Sequence, residues 1–215
     1  MSKSAVIFSG GWEGHSPEAS SVFWEKVLRE EGFEVTVQRE LDSLADWEFV
    51  SKQDLIVPNW TMGTLGKEQT EGVVKATEAG IGIAGFHGGM GDAFRGNVTY
   101  QFITGAQFVA HPDDVKKWTV NFGISDDPIV RGLTDFEIES EQYYMLVDPA
   151  CEWLAEGTFH SENFPWVEGR KMPVAMKKIH HQSRIFYCSL GHQPHEFEIP
   201  QVKTLITRGM LWASR

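Results

Sequence analysis

Short apolar runs alternate with amphipathic stretches from the first residues of the chain. Ser4 to Ser9 reads as a buried strand, with Ala5, Val6, Ile7 and Phe8 in succession before Gly10-Gly11 cuts the run. Ser16-Pro17-Glu18 then supplies an N-cap, a proline at the first helical position and an early acid. Val22, Phe23, Val27 and Leu28 fall on one face of the helix that follows, until Gly32 stops it. Phe33 to Gln38 alternates as a second strand. An acidic stretch from Asp42 to Glu48 leads to a third strand at Asp54 to Pro58, a polar-faced helix at Lys67 to Ala79 ended by Gly80, and a fourth strand at Ile81 to Phe86.

Strands that alternate with helices in this way predict an α/β fold with a parallel sheet wound on both faces, and active residues in such sheets sit at the carboxyl ends of strands. The second half is less regular. Gln107 to Ala110, Trp118 to Phe122, Tyr143 to Val147, Cys151 to Glu156, Val174 to Ile179 and Arg184 to Ser189 read as strands, and His180-His181-Gln182-Ser183 as a hairpin turn. A last helix, Gln201 to Ala213, begins after Pro200 and offers Val202, Leu205, Ile206 and Met210 to the core. No repeat, low-complexity tract or linker divides the 215 residues, so one domain is expected.

The charge balance narrows the function classes. Nineteen Lys+Arg stand against 30 Asp+Glu, a formal net charge of −11, and no window gathers basic residues, which argues against a nucleic-acid or anionic-membrane partner. The apolar run near the N-terminus is too short for an export signal, and no stretch approaches a membrane span. The 2 cysteines, Cys151 and Cys188, have neither metal nor redox spacing and read as small core residues. A cytoplasmic protein is the expectation.

Four places carry candidate chemistry. Gly85-Phe86-His87-Gly88-Gly89, directly after the fourth strand, has the form of a nucleophile elbow, whose glycines permit a sharp strand-to-helix turn. Here the lifted residue is a histidine, suited to acid/base work, to hydrogen bonding or to metal ligation rather than to acyl transfer. Gly10-Gly11-Trp12-Glu13-Gly14-His15 lacks both the dinucleotide fingerprint and the phosphate-loop Lys, yet it brings His15 and Trp12 to the same sheet edge. The strand that ends in Leu190-Gly191-His192 would add a third imidazole there if it joins the sheet in parallel, and three would suit a transition metal or an acid/base site. Glu139-Ser140-Glu141-Gln142-Tyr143-Tyr144 could supply an acid to orient a histidine and a phenol to bind a ligand; by charge alone it is a solvated loop. His111, before Pro112, reads as a strand cap, and His160, His180, His181 and His195 as turn residues. Trp12 and Trp60 fall after the first and third strands, where indole faces suit sugar rings.

Taken in order, Val6-Ile7-Phe8-Ser9-Gly10-Gly11 with His15, Gly85-Phe86-His87-Gly88-Gly89, His111-Pro112, Asp127-Pro128-Ile129-Val130-Arg131-Gly132-Leu133, Glu141 with Tyr143, Pro173-Val174-Ala175, and Arg184-Ile185-Phe186-Tyr187 with Leu190-Gly191-His192 resemble the ThuA-like family. That family is named for trehalose utilisation and belongs to the class I glutamine amidotransferase-like superfamily. The resemblance implies a flavodoxin-like three-layer sandwich, a mostly parallel central sheet with helices on both faces. Amidotransferases of this class carry cysteine at the elbow; His87 stands there instead, so glutamine hydrolysis through a thioester is not expected.

The resemblance also implies a place in carbohydrate catabolism, with a disaccharide or its 3-keto derivative as substrate. His87, His192, Glu141 and Tyr143 are then the expected catalytic residues; Trp12, His15, Gly88 and Trp60 the expected substrate contacts; and His15, His87 and His192 the expected ligands of a divalent transition metal, should one bind. The partner is a small-molecule carbohydrate, and a homodimer fits the aromatic content and irregular second half. The alternative is a non-catalytic sugar-binding or regulatory module on the same fold. A hydrolase using Cys151 or Cys188 ranks last, since neither lies in an elbow.

Overall fold

The computed structural model describes residues 2–123 and 125–215. In chain order its strands are β1 (Lys3–Gly11), β2 (Phe33–Gln38), β3 (Leu55–Thr61), β4 (Gly82–Phe86), β5 (Ala106–Ala110), β6 (Val115–Val120), β7 (Phe136–Glu141), β8 (Tyr144–Val147), β9 (Glu152–Thr158), β10 (Lys171–His180) and β11 (Ser183–Cys188). The helices are α1 (Pro17–Glu30), α2 (Trp47–Val50), α3 (Lys67–Glu78), α4 (His87–Gly91), α5 (Val98–Thr104) and α6 (Pro200–Ala213). Seven strands form the central sheet in the order β2-β1-β3-β4-β11-β10-β9. The first five run parallel, while β10 and β9 are antiparallel additions, β10 folding back from β11 through the turn at His181.

Parallel strands buried on both faces read as unbroken apolar runs, and alternation sorts their side chains to two cores. Ala5 and Ile7 of β1, Leu55 and Val57 of β3, and Ala84 and Phe86 of β4 face α1 and α6, which contribute Trp24, Val27, Leu28, Val202, Leu205, Ile206 and Met210. Val6 and Phe8, Ile56, and Ile83 face the other way, onto Val73 and Ala76 of α3 and Tyr100 and Ile103 of α5. This is the flavodoxin-like three-layer sandwich. Chain order reverses between β1 and β3, so the carboxyl ends of β1, β3 and β4 surround the crevice where such sheets bind ligands.

The structure corrects several local expectations. Val22 is 57% exposed, and Trp24, wholly buried, takes its place on the inner face of α1. Ser16 does not cap α1 with its side chain: its backbone is left-handed, with φ 48°, and its hydroxyl reaches Gln193 instead. The second-half strands β5, β6 and β8 lie outside the central sheet, in two antiparallel ribbons, β5 with β8 and β6 with β7. Strand β7 and helix α5 were not expected. Among the described residues no helix is long and apolar enough to cross a membrane.

Candidate functional site

Four separate chain segments deliver side chains to one point at the carboxyl edge of the sheet. At the end of β1 the Trp12 N–H donates to the Thr61 carbonyl at 3.1 Å, and a single 3-10 turn, Glu13–His15, folds His15 back over the edge. There His15 Nδ1 lies 2.9 Å from Thr61 Oγ1. A Cβ on Gly88 would stand 2.5 Å from the His15 ring, so only glycine lets the imidazole pack on the elbow.

The elbow itself is formed. Phe86 ends β4 extended, and His87 opens α4 with φ 42°, a left-handed conformation uncommon outside glycine. His87 Nδ1 is 2.8 Å from the Ser189 carbonyl and must donate to it, which turns the Nε2 lone pair of the neutral ring into the site. The third histidine follows β11. Its loop is tied by the buried Glu196 carboxylate, which accepts from the Gly191 N–H at 3.0 Å, the His192 N–H at 3.3 Å and the Ser140 hydroxyl at 3.0 Å. Replacing Glu196 with glutamine turns an acceptor into a misplaced donor, at a cost of about 1–3 kcal/mol. Thermal unfolding should show it as a Tm lower by about 2–10 °C.

Glu141, the last residue of β7, completes the cluster. His87 Nε2 is 3.2 Å from Glu141 Oε2 and 3.3 Å from His192 Nδ1, and His192 Nδ1 is 3.4 Å from the same carboxylate oxygen. With His15 included, the four candidate donor atoms lie within 4.8 Å of one another. The Tyr143 hydroxyl is 2.8 Å from His87 Nε2. Glu141 Oε2 is buried and, among the described residues, makes no directed hydrogen bond despite these short distances. A carboxylate oxygen without a directed hydrogen bond, set 3.2 Å from an imidazole nitrogen that also neighbours the Tyr143 hydroxyl, is what a cation between them would satisfy. The edges fit as well, since a tetrahedral centre with bonds of about 2.0–2.1 Å has ligand atoms about 3.3–3.4 Å apart. The donor set, imidazole with carboxylate, suits a divalent transition metal.

The electrostatics follow from burial and mutual contact. Burial, followed by the neighbouring His87, pushes the His15 imidazole down to about 3, so it stays neutral. Burial opposes ionisation of Glu141, yet His192 and His87 outweigh it and hold the carboxyl well below the usual range. For His192, burial is likewise overcome by Glu141, and the imidazole is raised. Burial pushes the Tyr143 phenol far up, so it remains protonated. The thiols are no rivals. Burial lifts Cys188 to about 12 and Cys151 to about 11, the first inside β11 and the second against the Gly105 carbonyl.

Of the residues singled out in the sequence, His15, His87, Glu141, Tyr143 and His192 meet, with Gly88 beneath His15. Trp12, half exposed, stands edge-on to His15 with ring centroids 4.7 Å apart and forms the rim. Trp60 does not join them. Strand β3 runs on through Thr61, so alternation that turns Thr61 to the site turns Trp60 away, into the small apolar cavity with Phe8 and Phe94. Four contributors were missed: Thr61, Ser189, Glu196 and His111. His111, read as a strand cap, has Nε2 3.7 Å from Glu141 Oε1 and Nδ1 3.0 Å from Asp114 Oδ1. Its place in the ordered motif set was the available signal.

A doubly wound sandwich that carries an imidazole on its strand-to-helix elbow defines the class, a flavodoxin-like fold with histidine rather than cysteine at the elbow. Within it the chain belongs to the ThuA family, described as trehalose utilisation, whose model matches residues 4–213. Among solved structures it is similar to a ThuA-like protein from Bacteroides uniformis, at 17% identity and TM-score 0.78, over 98% of this chain and 91% of that one. A second ThuA-like protein, from Parabacteroides merdae, gives 17% and 0.77 over 99% and 90%. A cold-adapted β-galactosidase from Rahnella sp. R3 gives 15% and 0.62, over 99% of this chain and 30% of the larger one, so the fold recurs within a longer polypeptide. No protein of curated function matches the sequence.

Proposed function

We propose that this ThuA-family protein is a carbohydrate-processing enzyme that holds a divalent transition metal on His15, His87, Glu141 and His192 and acts on a disaccharide or its 3-keto derivative. The observation that carries the reading is the near-equilateral triangle of His87 Nε2, Glu141 Oε2 and His192 Nδ1, with edges of 3.2, 3.3 and 3.4 Å and an otherwise unpartnered carboxylate oxygen at one corner. The family's description as trehalose utilisation supports the substrate class. When bound, the ion supplies a Lewis acid for a sugar carbonyl or hydroxyl oxygen.

The chain's own residues account for the proton movements. A ketone at C3 acidifies the hydrogen on C2, and His111, whose Nε2 lies 3.7 Å from Glu141 Oε1 at the edge of the cluster, takes that proton. The electron pair left on C2 becomes a C1–C2 double bond as the bond from C1 to the glycosidic oxygen breaks. The departing oxygen takes up, through solvent, the proton that His111 removed, while Tyr143, protonated throughout, stays a hydrogen-bond donor beside His87. The products are an unsaturated keto sugar and the released alcohol or sugar, with no oxidant consumed. Trp12 at the rim stacks on the outer ring.

The test is metal content by mass spectrometry beside turnover of a 3-keto-glycoside, on protein purified without chelator. About one equivalent of metal is expected, with turnover lost on stripping and restored by zinc, manganese or cobalt. Undiminished turnover by metal-free protein would sink the metal assignment. Metal and sugar bound without turnover would replace the enzyme by a binding module.

A further inference from the structure

A second cleft lies on the other side of the segment that carries Glu141 and Tyr143. Asn121, directly after β6, forms an isolated antiparallel bridge with Glu156 of β9, where two backbone hydrogen bonds of 2.9 and 2.8 Å close. Beyond it the two strands part, and a cleft of about 450 Å³ opens between them, lined by Lys117, Thr119, Glu137, Gln142 and Thr158 with Trp118 at its wall. The volume is that of a small-molecule site.

Gln142 is the unusual member. It is 2% exposed, yet among the described residues neither its Oε1 nor its Nε2 has a hydrogen-bond partner. Native proteins rarely bury an amide this way. Its amide rests beside the Trp118 ring, over Gly157, where a Cβ would stand 2.9 Å from Nε2 and 2.8 Å from the indole. No hydrogen bond holds it there, so none is broken when it turns toward the cleft.

We infer that this cleft is a second saccharide-binding site, separate from the histidine cluster, in which the Gln142 amide pairs with adjacent hydroxyls of a neutral sugar. A carboxamide offers one acceptor and two donors side by side, the complement of a vicinal diol, whose hydroxyls each give and accept. The rest of the lining carries no sign preference, since Lys117 is offset by Glu137, and the Thr119 and Thr158 hydroxyls both donate and accept. Lys116, the other cation at the cleft, is tied to Asp113 and to the His160 carbonyl. An anion or a cation would meet a like charge there; a polyol would not. The site owes nothing to the metal assignment, because its groups come from β6, β7, β9 and the turn after β7.

Nitrogen-15-edited NMR tests it, with trehalose and cellobiose as probes and inorganic sulfate as the charged control. Gln142→Leu identifies the side-chain amide resonance by its disappearance. Either disaccharide is expected to shift that resonance saturably at millimolar concentration, equally in His87→Ala, while sulfate leaves it in place. Gln142→Leu should bind at least tenfold more weakly. It should also melt about 2–6 °C higher, because two orphaned polar atoms give way to an apolar group of similar shape. Thr158→Val provides an independent variant expected to weaken binding without moving Tm. The inference is overturned if the Gln142 resonance stays fixed up to 100 mM disaccharide, responds equally to sulfate, or if Gln142→Leu binds as wild type. A marked loss of Tm in Gln142→Leu would also overturn it, by making the amide a structural group.

Discussion

His87→Ala should lower turnover of a 3-keto-glycoside by about a thousandfold or more and abolish stoichiometric metal binding, with little change in the far-ultraviolet circular dichroism. One side chain is the hub: Nδ1 fixes the ring on the Ser189 carbonyl, and Nε2 meets Glu141, His192 and Tyr143 within 3.3 Å. Its loss removes one candidate metal-donor atom and one of the two imidazoles that Glu141 Oε2 faces. Because residue 87 sits at φ 42°, His87→Asn is the companion variant, since asparagine tolerates the left-handed region without supplying imidazole. Both variants should be inactive. Turnover within tenfold of wild type in either would remove His87 from the chemistry.

Gly11→Ala should cost about 3 kcal/mol and lower Tm by about 6–12 °C. Two penalties combine at this position. The backbone has φ +82°, which costs a residue bearing Cβ about 1–2 kcal/mol, and the Cβ would stand 2.1 Å from the Thr61 carbonyl oxygen, a clash with backbone that cannot swing aside. Gly32→Ala separates them. Its φ is +89°, yet nothing lies within 4 Å of the added carbon, so only the conformational penalty of about 1 kcal/mol is expected there. Equal losses in the two variants, measured by denaturant titration, would show that the close approach of β1 to β3 carries no weight. Metal affinity should fall in Gly11→Ala alone, because the same turn places His15 against Thr61.

The first half of the chain was legible because its strands are buried on both faces and stand out as apolar runs between glycines. Phe33–Gln38 is found where the alternation puts it, and β1, β3 and β4 differ only by residues at their ends. Strand β7 was not legible. It lies in a two-stranded ribbon with Glu137 and Glu139 turned outward, so its sequence reads as an acidic loop. Helix α5 was hidden by brevity, with Val98 and Phe102 exposed and no apolar stripe of ordinary length. The elbow showed itself through its glycines, His15 and His192 through the Gly-rich ends of their strands, and Glu141 with Tyr143 through an acid-aromatic cluster; the ordered motif set then gathered all of them. Thr61 meets His15 and Ser189 meets His87 by single hydrogen bonds across long sequence separations, the second through its carbonyl alone, while Glu196 accepts several hydrogen bonds from its own loop and from Ser140, and no local pattern marks such residues. Trp60 was misplaced by the length of β3: a strand assumed to end at Pro58 leaves residue 60 free to face the ligand, whereas one that runs to Thr61 fixes its side.

The cluster at the sheet edge is drawn from residues 15, 87, 141 and 192, so no fragment much shorter than the whole chain contains it. A polypeptide emerging from the ribosome has all four groups only when β11 has been made and inserted beside β4, among the longest-range pairings in the sheet. The cluster is therefore a late product of folding: a chain truncated before His192, or one with β11 unpaired, cannot assemble it.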